Sequence, residues 1–178
     1  MIIIPDVQNS NKKNFGKVFL LLKIFNLKFK LHNFDTNQLQ YSFGAYPLNS
    51  KPLKKYVKKL YKIDKKDLFQ YTYNGLNLFH ISKSEILLKV IPDDFVNMKL
   101  DSNMSDKKLF DVIYANYHEI LIGNLACACY WIDFFRTKFK FLSKYKYTFL
   151  FSGSSIFNRV FVYYCKLCKV KVFMFEHS

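Results

Sequence analysis

Tyr147-Thr-Phe-Leu-Phe151 is a short run of β-forming residues, and Ser152-Gly-Ser-Ser155 behind it is a turn of small residues. Ile156, Val160, Tyr163, Tyr164 and Leu167 then recur at helical spacing, and Lys169 to Phe175 is again β-rich. Strand, turn, helix and strand in that order, within residues 147–178, have the size of a βαβ unit. Such a unit places its two strands parallel in one sheet. The chain therefore reads as α/β, Rossmann-like, with a mainly parallel sheet and flanking helices.

Working toward the N-terminus, Leu109, Val112, Ile113, Tyr117, Ile120, Leu121, Leu125, Ala128, Ile132 and Phe135 advance by three or four. This predicts one long helix, or two in succession, running to about Ser143, with Ser105 as its cap. Gly123-Asn124 is expected to be a break or a point of close packing. Residues 92–104 are polar and read as a loop. Ser84 to Ile91 fits either a strand or a short helix. Tyr71 to His80 reads as strand–turn–strand around Asn74-Gly75, which suits a turn with positive φ. Leu53, Tyr56, Val57 and Leu60 share a helix face opposite lysines, with Ser50 as the expected cap and Pro52 in the first turn. Asn26 to His32 alternates like a half-exposed strand, and Val18 to Leu22 like a buried one.

Composition bounds the function. The chain has 178 residues, 51% of them hydrophobic and 19% aromatic, so it can bury a large core and is not a disordered chain. Its 28 basic against 13 acidic residues leave a net charge of +15, which favours phosphate-bearing partners. Only Arg136 and Arg159 are arginines, however, and Asn, Ile, Phe and Tyr abound, as an AT-rich coding sequence would produce. That halves the weight of the charge, so nucleic acid is the rival partner and not the first choice.

Met1-Ile-Ile-Ile-Pro-Asp6 lacks a basic region and its apolar run ends at Pro5, so it does not read as a signal peptide. The cytoplasm is the expected location, with Cys127, Cys129, Cys165 and Cys168 as reduced thiols. Ile120 to Phe135 falls short of the roughly 18–20 apolar residues of a span, and Asn124 and Asp133 interrupt it. Surplus lysine still permits peripheral attachment to an anionic membrane surface.

Two clusters fall at the carboxyl ends of the predicted parallel strands, where ligands of open α/β sheets bind. Gly153, Ser154 and Ser155 stand before a helix N-terminus suited to phosphate, and Arg159 follows one turn later. The bland alternative is ordinary capping. Glu176 and His177 pair a carboxylate with an imidazole, able to take a hydroxyl proton or stabilise a leaving phosphate. The bland alternative there is a salt bridge to a lysine. Cys165-Lys-Leu-Cys168 has a zinc-knuckle spacing but lies inside the predicted helix, so buried core residues are the preferred reading. His118-Glu119 has Ile122 where a zincin needs its second histidine. No motif calls for a metal or a cofactor.

Phe149-Leu-Phe-Ser-Gly-Ser-Ser-Ile-Phe-Asn-Arg159, Tyr164-Cys-Lys-Leu-Cys168 and Val172-Phe-Met-Phe-Glu-His-Ser178 together resemble the bacterial capsular polysaccharide biosynthesis proteins. These are sugar transferases of GT-B-like architecture, related to the Kdo transferases that prime capsule chains. The resemblance covers about thirty residues of the tail. It implies that residues 1–178 form a single Rossmann-like domain, the N-terminal half of a two-domain enzyme with the active site between halves. It implies a nucleotide-sugar donor and a glycan or lipid-linked acceptor. Glu176 and His177 would be the catalytic pair, and Gly153, Ser154, Ser155 and Arg159 the anion contacts. The 178-residue chain by itself is expected to be inactive. The rival readings are a non-catalytic nucleic-acid-binding protein and an accessory fragment that binds a partner subunit.

Overall fold

A computed structural model of the chain describes residues 2–6, 23–24, 26–33, 46–90, 104–137, 139–150 and 155–174. Among these the protein is mixed α/β. Four strands, β1 (Ile2–Asp6), β2 (Phe29–Asn33), β5 (Tyr147–Leu150) and β6 (Lys171–Met174), lie in the order β2-β1-β5-β6. Each neighbouring pair is parallel, with Ile2 opposite Phe29, Ile2 opposite Tyr147, and Tyr147 opposite Lys171. A small antiparallel hairpin joins β3 (Thr72–Tyr73) to β4 (Leu76–Asn77). The helices are α1 (Lys54–Leu60), α2 (Lys65–Leu68), α3 (Leu78–Lys89), α4 (Asp106–Asn116), α5 (His118–Thr137), α6 (Phe139–Leu142) and α7 (Ile156–Leu167).

The tail folds as its pattern predicts: β5 and β6 are adjacent and parallel, and α7 is the crossover between them. Ile156, Phe157, Val160, Phe161, Tyr164 and Cys165 form its buried face. The helix ends where Lys169 turns to φ 58°, so that Val170 N–H reaches the Cys165 carbonyl at 2.8 Å and Lys169 N–H the Lys166 carbonyl at 3.0 Å. This is a Schellman closure with lysine in the place that glycine usually fills.

β1 is the strand that the sequence pattern leaves unassigned. It lies inside the sheet although Pro5 cannot donate to a ladder. The pairing to β5 covers Ile2 and Ile3, which places Pro5 beyond that ladder. Of the strand expected at 26–32, residues 29–32 lie in β2, while residues 26–28 do not and Asn26 turns at φ 49°; Val18 to Leu22 and residues 92–103 lie outside the described residues.

Helices supply most of the core. Trp131 and Phe135 of α5 meet Phe157 of α7 at centroid distances of 4.8 and 5.5 Å, and Phe135 meets Phe161 at 5.3 Å. Phe69, Phe79 and Phe110 form a second nucleus, joining α3 and α4 to the segment after α2. The helical run after Ser105 does divide in two, but at Tyr117 rather than at Gly123-Asn124. Gly123 is instead a close-packing point: a Cβ there would stand 2.9 Å from the Tyr46 carbonyl oxygen. Residues 84–89 are helical, and His80, read as a strand residue, lies in the first turn of α3. Asn77 explains the difference, because its side chain accepts His80 N–H at 2.8 Å and starts the helix straight after the hairpin. Ser50 does not cap α1 with its side chain. Its carbonyl takes Leu53 and Lys54 N–H, while its buried hydroxyl has no partner among the described residues.

Candidate site at the head of α7

Ser155 is the N-cap of α7, its hydroxyl accepting Asn158 N–H at 3.1 Å. The next orphan donor, Ile156 N–H, is held at 2.6 Å by the Glu85 carboxylate. A helix N-terminus attracts an anion because unpaired N–H groups and the helix dipole converge there. Here the anion is the chain's own. Ser155 thus does the capping of the bland alternative, and its own O–H remains a donor beside that bond. Gly153, Ser154, Glu176 and His177 lie outside the described residues.

Glu85 belongs to a buried network. Its Oε1 accepts the Tyr46 hydroxyl at 2.6 Å and stands 3.0 Å from Lys89 Nζ, one turn along α3. Lys89 also donates to Asn124 Oδ1 at 2.8 Å and lies 3.8 Å from the Tyr46 ring centre. Burial pushes the Lys89 ammonium below its ordinary range, while the carboxylate draws it back. Burial likewise pushes the Tyr46 hydroxyl and the Cys127 thiol up, with the Glu85 charge adding to both. Cys127, Cys129 and Cys165 are buried free thiols, and Cys168 is half-buried. Among the described residues no group of histidine, cysteine or carboxylate side chains is arranged to hold a metal ion.

Arg159 stands one turn into α7 as the sequence predicts, and it is tied to α3. Its guanidinium donates to the His80 carbonyl at 3.2 Å and to the Ser84 hydroxyl at 2.7 Å. With His80, Ile81, Asn158, Val162 and Met174 it lines a groove of about 260 Å³. Met174 is the last residue of β6 and Asn158 and Arg159 open α7, so the groove lies at the carboxyl edge of the sheet. Ligand sites run roughly 300–1,000 Å³, so this groove suits part of a ligand rather than the whole. His80 and Lys83 flank the Asp106 carboxylate beside it, at 3.4 and 2.7 Å.

Sequence reasoning missed Glu85, Asn124 and Asp133 as sites. A signal was present in α5, where Asn124 and Asp133 are the residues that interrupt the apolar run, whereas Glu85 shares the buried face of α3 with the polar Ser82 and Lys89. Among the described residues no helix is long and apolar enough to cross a membrane. No protein-family model matches the chain, and no curated protein and no solved structure shows significant similarity to it.

Proposed function

We propose that the chain is a Rossmann-like domain of a glycosyltransferase for capsule or other surface polysaccharide, one of two such domains in a GT-B-like enzyme, working at the cytoplasmic side of the membrane. The observation that carries this reading is the groove at the carboxyl edge of the parallel sheet, with Arg159 braced in its wall. The strand order supports it. The connection after β1 leads to β2 on one side, and the later chain returns to β5 on the other, so the order reverses at β1. Ligands of doubly wound sheets bind at the carboxyl ends beside such a reversal.

In this reading the donor's phosphates lie toward Arg159 and the groove takes one end of a nucleotide-sugar, the facing domain taking the rest. Arg159 supplies the charge that the head of α7 does not, because Glu85 already satisfies Ile156 N–H. Glu176 deprotonates the acceptor hydroxyl, which attacks the anomeric carbon while the nucleotide phosphate leaves. Glu176 and His177 come two and three residues after Met174 in the chain. The tail's resemblance to the capsular polysaccharide proteins is the second support.

Calorimetric titration with UDP-glucose and with CMP-N-acetylneuraminate tests the proposal. Saturable binding of one of them, weakened about tenfold or more by Arg159→Ala, is expected, since charge-assisted contacts carry about 1.5–3 kcal/mol. Absence of binding by both overturns it. Tight binding of arbitrary DNA that collapses between low and moderate salt would favour the nucleic-acid reading instead.

A further inference from the structure

We propose that a second groove, between α1 and the C-terminal half of α5, is a saccharide site that takes a pyranose unit of a neutral sugar or glycan. This goes beyond the nucleotide-sugar reading: groove and ligand both differ, so either proposal can fail without the other. The groove measures about 380 Å³ and is lined by Lys51, Lys55, Tyr56, Tyr130, Asp133 and Phe134, among others. That is within the range of small-molecule sites.

Asp133 is the centre of the argument. Its Oδ2 accepts the hydroxyls of Tyr56 and Tyr73 at 2.7 and 2.9 Å, which fixes the carboxylate between α1 and the β3–β4 hairpin. Burial and these bonds push the Tyr73 hydroxyl up to about 12 and the Tyr56 hydroxyl higher, so both are donors at neutral pH. Oδ1 is approached more loosely, by Asn74 Nδ2 at 3.5 Å and Arg136 Nη2 at 3.6 Å. A carboxylate oxygen at such distances retains capacity for a short bond from a ligand hydroxyl.

A sugar hydroxyl donates and accepts at once, and the groove offers both functions: Asp133 Oδ1 as acceptor, the ammonium groups of Lys51 and Lys55 as donors. Tyr130 and Phe134 supply the apolar component. Their rings are stacked at 26° with centroids 6.4 Å apart, and aromatic surface of this kind packs against the C–H face of a pyranose.

Cations of the chain already surround Asp133. Lys55 Nζ lies 4.4 Å from the Tyr56 ring centre and 3.8 Å from Asp133, and Lys59 Nζ lies 5.1 Å from the Tyr73 ring centre. The cation positions around the carboxylate are thus filled by the chain, which disfavours a cationic ligand. Oδ1 is left for an uncharged hydroxyl donor, which a pyranose supplies.

Trp131, the chain's one tryptophan, makes edge contacts with Tyr130 at 5.1 Å and Phe134 at 5.3 Å, so its emission reports on the groove. Titration with maltose, cellobiose and chitobiose, followed by that emission and by calorimetry, is the test. At least one should bind saturably with a dissociation constant in the range of about 0.1–10 mM. Asp133→Asn and Tyr130→Ala should each weaken it about tenfold or more, and tetramethylammonium should not bind. No saturable binding by any of the three sugars below about 50 mM would overturn the proposal, as would saturable binding of tetramethylammonium in their place. If circular dichroism shows that Asp133→Asn fails to fold, Tyr130→Ala decides, because it leaves the carboxylate in place: unchanged calorimetric affinity in that variant also overturns the site.

Discussion

The Glu85 carboxylate of α3 accepts the backbone N–H of Ile156 at the head of α7 at 2.6 Å, across 71 positions of sequence. One side chain thus closes two electrostatic accounts. It neutralises Lys89 on its own helix, and it satisfies an orphan donor where the dipole of α7 is positive. Both partners are buried, so neither can turn to water when the other is removed.

Glu85→Ala should therefore be among the most damaging single substitutions, destabilising by about 3–5 kcal/mol, because it strands the Lys89 ammonium as well as uncapping α7. Glu85→Ala with Lys89→Met should recover part of that loss, since the uncompensated charge goes too. Urea denaturation of the single and double variants measures the coupling. Equal stabilities for wild type and Glu85→Ala would contradict the buried-pair account.

Ser155→Ala tests the cap. The loss of the hydroxyl that accepts Asn158 N–H should lower stability by about 1 kcal/mol. Nucleotide-sugar affinity should stay where it was, whereas Arg159→Ala should lower affinity as well as stability, because its guanidinium also ties α7 to α3. Chemical denaturation beside calorimetry separates the two. A tenfold loss of affinity in Ser155→Ala would show that its hydroxyl contacts the anion as well as capping the helix.

Lys169→Gly should stabilise the protein by roughly 0.5–1 kcal/mol. Lysine at φ 58° bears the left-handed penalty that glycine escapes, and that gain exceeds the extra freedom glycine brings to the unfolded chain. A rise in Tm of a few degrees is expected. A fall would mean that the lysine side chain makes a contact worth more than the strain.

Stability should decline as pH rises above about 9. Burial pushes the Cys129 and Cys165 thiols up to about 12, and the Tyr73 hydroxyl to about 12. Unfolded thiols lose their protons from about pH 9, while the folded ones keep theirs, so the unfolded state binds fewer protons and gains as pH rises. The window runs from about 9 to about 12 for the thiols and from about 10 to about 12 for Tyr73. Lys89, pushed down by burial, works in the opposite sense below its ordinary range, but it is one group against several. Melting temperatures from about pH 8 to 11 should fall for the wild type and fall less steeply for Cys129→Ala with Cys165→Ala. A flat profile would refute the assignment.

Local pattern and tertiary context divide this protein cleanly. The β5–α7–β6 unit, the Asn74-Gly75 hairpin, the lysine face of α1 and the Ser105 cap were all legible in the residues. Each rests on interactions within a few positions: apolar spacing at 3.6 or 2, positive φ at a turn, a hydroxyl reaching an N–H three residues on. β1 was not legible, because Pro5 argues locally against a strand and only the sheet places it where the missing N–H costs little. Nor was α3 after the hairpin, since a short apolar run fits helix or strand until Asn77 caps it. The site divides the same way. Arg159 and Ser155 could be placed one turn apart at the head of α7 from sequence alone. That Glu85 would fill that helix end, and that Asp133 would gather two tyrosines onto its carboxylate, required contacts across 71, 77 and 60 positions. No periodicity encodes such separations. They exist because α5 packs between α1, α3 and α7, which leaves its buried polar groups to find partners wherever the fold brings them.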